Sequence, residues 1–333
     1  MTATTTEPQP HQVVWTLAQA VVPSRALHVV AELGVADALG DGACHPKELA
    51  AACHADTAAL DRVLRLLCAH GIFEVDGDRY RHNAASRLLR SDDAHSMRAF
   101  ARLNGLPAAW RSIGALDHAV RTGRPGIETV DAEGFFTYLA AHPDEAGVFE
   151  LAMAQKARAD IVDLLDAFDF QPFRTIADIG GGTGHLLDAA LAASPHATGV
   201  LFDLPDVIAR CTVTCERLRT RAGDFFADPL PAADLYLLME VLHDWRDQEA
   251  SSILAAVRRA AEPGATILVI EHIPSEEGMD VVSQTLDVLM LAVTGGFERA
   301  PSQMRALLRA AGFEPSRVVR TAGAISAIEA VAV

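Results

Sequence analysis

Four glycines in five positions follow an apolar segment in the second half of the chain. The run reads DIGGGTG over residues 178–184, and glycine is needed where the backbone takes positive φ or lies against a ligand. It matches neither G-x-G-x-x-G, because the third glycine would fall on His185 or Leu187, nor G-x-x-x-x-G-K-S/T. Asp203 ends the next apolar segment, at a position where a carboxylate can accept both hydroxyl groups of a ribose. The alternative is that Asp203 only caps the helix that follows.

The elements that position this turn are strands and helices in alternation from Phe173 onward. The predicted strands are RTIADIG, ATGVLFD, RLRTRAGDFF, ADLYLLME and ATILVIEHI, and the predicted helices are HLLDAALAAS, one starting near Pro205, and DQEASSILAAVRRAAEPG. Nearly continuous apolar strands separated by helices predict a doubly wound α/β fold with a parallel sheet. The chain closes with a predicted helix, PSQMRALLRAAG, and an antiparallel strand pair at one sheet edge, FEPSRVVRTA and AISAIEAVAV.

The first half is predicted to be helical to about residue 168. Residues 13–33 are apolar too densely for a surface helix, so they are expected to be buried in the fold or in a partner chain. A helix that stops at Gly71 precedes two short strands around Asp76-Gly77, a strong hairpin signal. Helices followed by a hairpin outline a winged helix. The first twelve residues, MTATTTEPQPHQ, are predicted to be a disordered tail.

The composition disfavours several function classes. There are 44 acidic and 28 basic residues, and the net charge of −16 disfavours nucleic acid as a partner. A winged helix can also belong to a DNA-binding regulator, but the basic residues of its predicted recognition helix and wing are only Arg62, Arg65, Arg79 and Arg81. No uncharged apolar run reaches the ~18 residues of a membrane span. The five cysteines are odd in number and scattered, which indicates reduced thiols in a cytoplasm and no structural metal.

Six motifs carry a resemblance to a known enzyme family. They are DIGGGTGH (178–185), LFDLP (201–205), GDFF (223–226), VLHDW (241–245), VIEHI (269–273) and GGFERA (295–300). In this order the chain resembles the class I S-adenosylmethionine-dependent small-molecule O-methyltransferases, of the plant-phenolic type and its bacterial natural-product branch. The winged-helix outline and FFTYLAAHPDEAGVFELAMA (135–154) are similar to the family's first domain. The resemblance implies a dimerisation and substrate-lid domain over 13–168 and a Rossmann-like methyltransferase domain over 169–333.

The resemblance further implies that His243 of VLHDW is the general base. Methyl transfer requires an oxygen nucleophile that is aligned with the methyl carbon and loses its proton. An imidazole with its ordinary pKa near 6.5 suits deprotonation of a phenol near neutral pH. Family members hold this imidazole with two carboxylates, and the matching positions are Glu271 and Glu298. A carboxylate that accepts the imidazole N–H fixes the tautomer and stabilises the imidazolium.

The cofactor implied by the resemblance is S-adenosylmethionine, with S-adenosylhomocysteine as its product and without a metal. Asp203 would bind the ribose, Asp224 the adenine amine, and Phe225 would offer the adenine an apolar face. Trp245 would either close over the adenosyl group or pack beneath it. Many relatives carry lysine at the position of Met239, so the affinity or pose of the cofactor can differ here. The full set of cofactor-binding candidates is Asp178, Gly180, Gly182, Asp203, Leu204, Asp224, Phe225, Met239, Asp244 and Trp245.

The acceptor would be a planar, mostly apolar molecule with a hydroxyl group, such as a polyketide-derived phenol or a naphthoate. The family-matching lining residues, expected between the two domains, are Phe136, Phe149, Met153, Met290 and Val293. The first domain would form a homodimer. One alternative remains open, because some family members keep the cofactor site and catalyse decarboxylation, hydroxylation or pericyclic chemistry instead. Those members often alter the catalytic histidine, which this chain keeps.

Overall fold

The computed structural model describes residues 9–211, 215–274 and 280–333 and divides into two compact units. The first contains the described residues up to Leu106 together with Gly147–Gln155, and the second contains Pro107–Ala146 and Lys156–Val333. The boundary therefore differs from the one predicted at 168/169. The reason is that residues 107–146 pack within the second unit. Arg246 donates to the carbonyl of Gly123 there.

The first half of the chain contains helices α1 to α11, and α11 contributes residues to both units. They are α1 Pro10–Gln19, α2 Val21–Glu32, α3 Val35–Leu39, α4 Pro46–Ala52, α5 Thr57–Ala69, α6 Ala84–Arg87, α7 Arg98–Leu103, α8 Pro107–Gly114, α9 Leu116–Thr122, α10 Phe135–Ala141 and α11 Pro143–Ala167. The later helices are α12 His185–Ala193, α13 Pro205–Ile208, α14 Asp247–Ala260, α15 Val281–Val293 and α16 Pro301–Ala310. Two 3₁₀ turns span Gly126–Thr129 and Leu242–Asp244.

The strands form a two-stranded and a seven-stranded sheet. They are β1 Glu74–Asp76, β2 Arg79–Arg81, β3 Thr175–Ile179, β4 Thr198–Asp203, β5 Leu218–Ala222, β6 Leu235–Met239, β7 Thr266–Glu271, β8 Phe313–Arg320 and β9 Ser326–Ala332. The large sheet has the order β5-β4-β3-β6-β7-β9-β8, parallel from β5 to β7, with β9 antiparallel to β7 and β8 at the edge. The predicted parallel sheet and its antiparallel edge pair are confirmed.

The apolar start of the first unit is largely exposed. Helix α1 buries no residue, and the exposed fractions of Trp15 and Leu17 are 69% and 72%. By length and composition alone the stretch Pro10–Glu32 could cross a membrane, although it contains Arg25. The predicted tail is corrected in part, because α1 already begins at Pro10 with proline at the start of the helix. Residues 1–8 of that prediction lie outside the described residues.

The winged-helix outline of the first unit is confirmed by α4, α5 and the β1–β2 hairpin. Asp56 caps α5 by accepting the Ala59 N–H at 2.9 Å, and Gly71 follows the helix with φ +80°. The register pairs Asp76 with Arg79, so the two loop residues are Gly77-Asp78 rather than the predicted Asp76-Gly77. The turn shifted because Gly77 is the residue with positive φ there.

In the second unit, helices cover both faces of the large sheet. Apolar side chains predominate in β3, β6 and β7, and those on opposite faces of the sheet belong to two apolar clusters, one on each side. Glycine at 180 begins the loop at the carboxyl end of β3. This strand lies between β4 and β6, where the strand order reverses and open α/β sheets bind ligands. The β3–α12 turn is predicted from the sequence, whereas helix α15 is not.

Candidate active site

The glycine turn joins β3 to α12 with an unusual backbone. Gly180, Gly182 and Gly184 have φ of +70°, +59° and +88°, values that L side chains rarely adopt. A Cβ on the intervening residue 181 would overlap the carboxyl group of Asp178. A Cβ on Gly182 would meet nothing within 4 Å, so the turn presents bare backbone at this point. The turn therefore forms a smooth cradle at the carboxyl edge of the sheet.

The carboxylate of Asp203, at the end of β4, accepts a hydrogen bond from this turn. Its Oδ2 accepts the N–H of Gly182 at 2.7 Å, and its Oδ1 accepts the N–H of Leu204 at 2.7 Å. Each carboxylate oxygen has two lone pairs and can accept a further hydrogen bond. The structure thus brings together Asp203, Leu204 and the glycine turn, as predicted, and ties the carboxylate to the turn's backbone, which was not predicted.

Asp178 lies directly beneath the turn. The residue is 1% exposed, and neither carboxylate oxygen has a hydrogen-bond partner within the described residues. Burial, with a smaller contribution from the charge of Asp203, outweighs the backbone N–H of Leu187 and raises the pKa of Asp178 to about 7. A buried carboxylate that the chain satisfies poorly is costly, so this position favours a nearby cationic or hydrogen-bond-donating group.

Aromatic rings gather beside the turn on the second unit. The Trp245 ring lies 4.8 Å from Phe226 and 6.0 Å from Phe225, both edge to face, and stacks on Phe136 at 5.7 Å. A Cβ on Gly180 would lie 3.7 Å from the ring of Phe225, which places that ring against the glycine turn. Asp224 accepts the N–H of Phe226 at 2.8 Å through Oδ1. The predicted adenine-binding pair therefore borders the turn, with Trp245 beside it.

His243 sits in the 3₁₀ turn that follows β6. The residue is 7% exposed, and its ring Nδ1 lies 2.9 Å from Oε1 of Glu298, whose side chain is fully buried. Glu271, at the end of β7, accepts the backbone N–H of His243 at 2.9 Å rather than a ring N–H. The second nitrogen, Nε2, lies 3.9 Å from Asp244, beyond hydrogen-bond distance. Of the two carboxylates expected on the ring, Glu298 alone contacts it.

The carboxylates around His243 set its charge. Burial by itself would lower the pKa of the imidazole, but Asp244, Glu298 and Glu271 outweigh burial and raise the pKa of His243 to about 10. Burial raises the pKa of Glu271 to about 7 and that of Asp244 to about 6, each opposed by the charge of His243. The ordinary imidazole pKa expected from the sequence therefore does not hold in this environment.

An ion pair that the sequence did not reveal lies next to this turn. Glu240, directly after β6, has φ +52°, a strained value for a residue with a side chain, and its carboxylate binds the ammonium of Lys156. The pKa of Glu240 is lowered, because Lys156 and His243 outweigh its burial. Burial, together with the charge of Glu240, raises the pKa of the neighbouring Asp160 to about 6. Nothing in the sequence signals a positive φ at a glutamate.

The remaining predicted residues fall on both units. Met239 ends β6 and packs against one apolar cluster of the sheet. Met290 and Val293 lie in the last turn of α15, just before the loop that carries Glu298. Phe149 and Met153 belong to the first unit, where Met153 packs against an apolar cluster around Ala152. Among residues 9–211, 215–274 and 280–333, no group of three or more His, Cys, Asp or Glu side chains could hold a metal ion.

Two family models match the chain. Residues 15–92 match an O-methyltransferase dimerisation domain, and residues 113–314 match an O-methyltransferase domain. The second model starts well before β3, in agreement with the second compact unit rather than with a boundary at residue 168.

Curated and solved proteins are similar over nearly the whole chain. The phenazine O-methyltransferase PhzM of Lysobacter antibioticus is 36% identical, over 92% of this chain and 92% of that protein. Human N-acetylserotonin methyltransferase, solved in complex with S-adenosylmethionine, superposes with a TM-score of 0.90 at 30% identity, over 100% of this chain and 99% of that one. NcsB1 of neocarzinostatin biosynthesis was solved with S-adenosylmethionine and 2-hydroxy-5-methyl naphthoic acid. It superposes with a TM-score of 0.80 at 31% identity, over 94% of this chain and 96% of that one.

Proposed function

The chain belongs to the S-adenosylmethionine-dependent O-methyltransferases of the natural-product type, and we propose that it methylates a hydroxyl group of a small aromatic acceptor with His243 as the general base. The observation that carries the proposal is the buried contact between His243 Nδ1 and Glu298 Oε1 at 2.9 Å. A carboxylate on Nδ1 leaves Nε2 to take the proton of the acceptor.

The residues at the glycine turn fit S-adenosylmethionine. The poorly satisfied buried carboxylate of Asp178 suits a ligand that carries an ammonium and a sulfonium group. Asp203, which holds Gly182, is proposed to accept from the ribose hydroxyls, and Asp224 and Phe225 are proposed to contact the adenine. Gly180, Leu204, Met239, Asp244 and Trp245 complete the proposed cofactor-binding set. Trp245 is proposed either to cover the adenosyl group or to pack beneath it.

The chemistry of His243 follows from its surroundings. When bound, S-adenosylmethionine supplies an electrophilic methyl carbon. His243 Nε2 takes the phenolic proton as the acceptor oxygen attacks, and Glu298 stabilises the imidazolium that forms. Glu271 holds the backbone of His243 instead of its ring, so its role is to fix the position of the turn and to add negative charge. A base whose conjugate acid is stabilised to this degree matches the acidity of a phenol.

The acceptor is proposed to be a planar hydroxylated aromatic, such as a phenol of polyketide origin or a naphthoate. A relative solved with a hydroxylated naphthoic acid supports this class. Phe136, which stacks on Trp245, offers such a ring an apolar surface within the second unit. The other proposed acceptor-binding residues are Phe149, Met153, Met290 and Val293.

The chain is proposed to act as a homodimer in the cytoplasm. The exposed apolar side chains of α1 lie next to the start of the match to the dimerisation domain, and a second copy of the chain would bury them. The same match supports a protein partner, rather than DNA or a membrane, for the first unit.

Calorimetric titration with S-adenosylhomocysteine, followed by mass spectrometry of a panel of hydroxylated naphthoic acids and hydroxyphenazines, tests the function. We expect cofactor binding and a product heavier than one panel member by one CH₂. Binding accompanied by decarboxylation or hydroxylation of a panel member would assign the non-methylating chemistry instead. The absence of cofactor binding would overturn the proposal.

A further inference from the structure

Arg299 is the largest fully buried side chain among the described residues, at 1% exposed. A buried guanidinium is stable only when its donors are satisfied by well-placed acceptors. The proposed mechanism gives this residue no role, although it directly follows Glu298 in the sequence. Its contacts therefore need a separate explanation.

The guanidinium of Arg299 donates hydrogen bonds to both ends of the turn that carries His243. Its Nη1 donates to the carbonyl of Leu242 at 2.7 Å and its Nη2 to the carbonyl of Trp245 at 2.7 Å. Its Nε donates to Asp247 at 3.0 Å, whose side chain is 70% exposed. The planar fork of arginine can bind two carbonyls at once, whereas a lysine ammonium is a single point of charge.

Gly296 presses on the same turn from the same loop. A Cβ at this position would overlap the carbonyl oxygen of His243 and the backbone of Asp244. The loop thus touches the turn in three ways: by contact at Gly296, through the imidazole at Glu298, and through two carbonyls at Arg299. The backbone N–H of His243 is held separately by Glu271.

We propose that Arg299, together with Gly296, is a positioning residue that locks the 242–245 turn so that the His243 ring stays aligned between Glu298 and the acceptor. The inference rests on the proposed role of His243 as base. A base displaced by about 1 Å loses on the order of 10²-fold in rate. Asp244 and Trp245 lie in the locked turn, but most of the proposed cofactor contacts, at the glycine turn, Asp203 and Asp224, lie outside it. Loss of the lock should therefore lower kcat selectively.

Arg299→Lys is the first variant, and Arg258→Lys is its matched control. Arg258 also bridges backbone carbonyls of the second unit, those of Gly312, Ala261 and Val333, but none of them belongs to the 242–245 turn. With the panel phenol that the wild-type enzyme methylates fastest, we expect R299K to lower kcat about 10- to 100-fold. The KM for the phenol and the Kd for S-adenosylhomocysteine should change much less than kcat, because the glycine turn, Asp203 and Asp224 are not held by Arg299. R258K should keep kcat.

Two further measurements separate positioning from folding. Arg299→Ala leaves a cavity shaped for a guanidinium, so millimolar methylguanidine should restore part of its kcat and should do nothing for Arg258→Ala. Hydrogen exchange by mass spectrometry should show faster exchange in R299K confined to residues 241–246. Gly296→Ala should reproduce the kcat loss, whereas Gly114→Ala, where a Cβ meets nothing within 4 Å, should not.

The outcomes distinguish this inference from the proposed function. Wild-type kcat in R299K and G296A, beside an inactive His243→Asn, would overturn the lock and leave the base assignment intact. Equal losses of kcat in R299K and R258K, together with a failure of methylguanidine to rescue R299A, would show that Arg299 has only a general structural role. An active His243→Asn would overturn the base assignment itself.

Discussion

The ring nitrogen Nδ1 of His243 and the carboxylate Oε1 of Glu298 lie 2.9 Å apart, 55 positions apart in sequence and both out of solvent. In the neutral imidazole Nδ1 is therefore the nitrogen that donates, and Nε2 is left to accept a proton. The other oxygen of Glu298 is buried with no partner in the described part of the chain. That unpaired oxygen adds to the negative potential that favours the imidazolium.

Replacing His243 with Asn tests the base directly. We expect kcat to fall about 10²- to 10⁴-fold, because the acceptor then loses its proton without a positioned base. The Kd for S-adenosylhomocysteine should stay close to the wild-type value, since the cofactor-binding candidates at the glycine turn are untouched. Steady-state kinetics and calorimetry measure the two quantities, and an unchanged kcat would remove His243 from the role.

The pH dependence of activity tests the electrostatics of the same contact. In the wild-type protein the pKa of His243 is raised to about 10, so the neutral imidazole becomes more abundant as the pH increases. We therefore expect kcat/KM to rise with pH between about 7 and 9. Glu298→Gln removes one carboxylate and lowers that pKa, so the rising limb should move about 1–3 pH units toward acid.

The control for this shift is Glu262→Gln, at the opposite end of β7 from Glu271 and exposed. Its pH profile should superpose on that of the wild type. An E298Q profile that keeps its limb in place while its height falls would show that Glu298 acts by position alone, and not through its charge.

Much of the second unit could be predicted from the sequence because β3 and β4 are short, largely apolar runs that end at Gly180 and Asp203, and β6 and β7 are apolar runs as well. The β3 turn and Asp203 follow from that pattern and from the spacing between them. The contact between His243 and Glu298 does not follow from spacing, since it closes only when α15 and its following loop return to the sheet. The contact could be predicted only from the family motifs VLHDW and GGFERA.

The missed features have physical reasons. Helix α15 is mostly apolar, and its polar residues cluster at 283–287 instead of forming a face along its whole length. Asp280, which accepts the Ser283 N–H at 2.8 Å, is nonetheless a cap that the sequence shows. The pairing of Glu271 with a backbone N–H depends on the direction in which β7 ends. The pair of Glu240 with Lys156 depends on a positive φ that no residue type announces. Such contacts are tertiary and leave no local pattern.

Asp203→Ala tests the ribose placement. The substitution removes a carboxylate that holds the N–H groups of Gly182 and Leu204 and that is proposed to bind two hydroxyls. Hydrogen bonds to a charged group contribute about 1.5–3 kcal/mol, so the affinity for S-adenosylhomocysteine should fall roughly 10- to 100-fold. Asp206→Ala, an exposed carboxylate in α13, is the control for calorimetry. If the two variants bound S-adenosylhomocysteine equally well, the proposal that Asp203 binds the ribose would be wrong.

The exposed face of α1 predicts the oligomeric state. Changing Trp15 and Leu17 together to Glu should convert a dimer into a monomer in sedimentation velocity, because both side chains are about 70% exposed in the single chain. Val120→Glu alters a side chain that is 72% exposed on α9 and should leave the dimer intact. A monomeric wild-type chain that floats with phosphatidylcholine–phosphatidylglycerol vesicles would assign the stretch Pro10–Glu32 to a membrane instead.

Asp178 should make the stability of the cofactor-free protein depend on pH in an unusual direction. Its pKa of about 7 in the folded state lies above the ordinary carboxyl value near 4, so the unfolded chain ionises first. The stability associated with this group is present below about pH 4 and is lost as the pH rises toward 7. Asp178→Asn stays neutral throughout, so its Tm relative to the wild type should increase between pH 5 and pH 8. A difference in Tm that is constant with pH would show that the pKa of Asp178 is not raised.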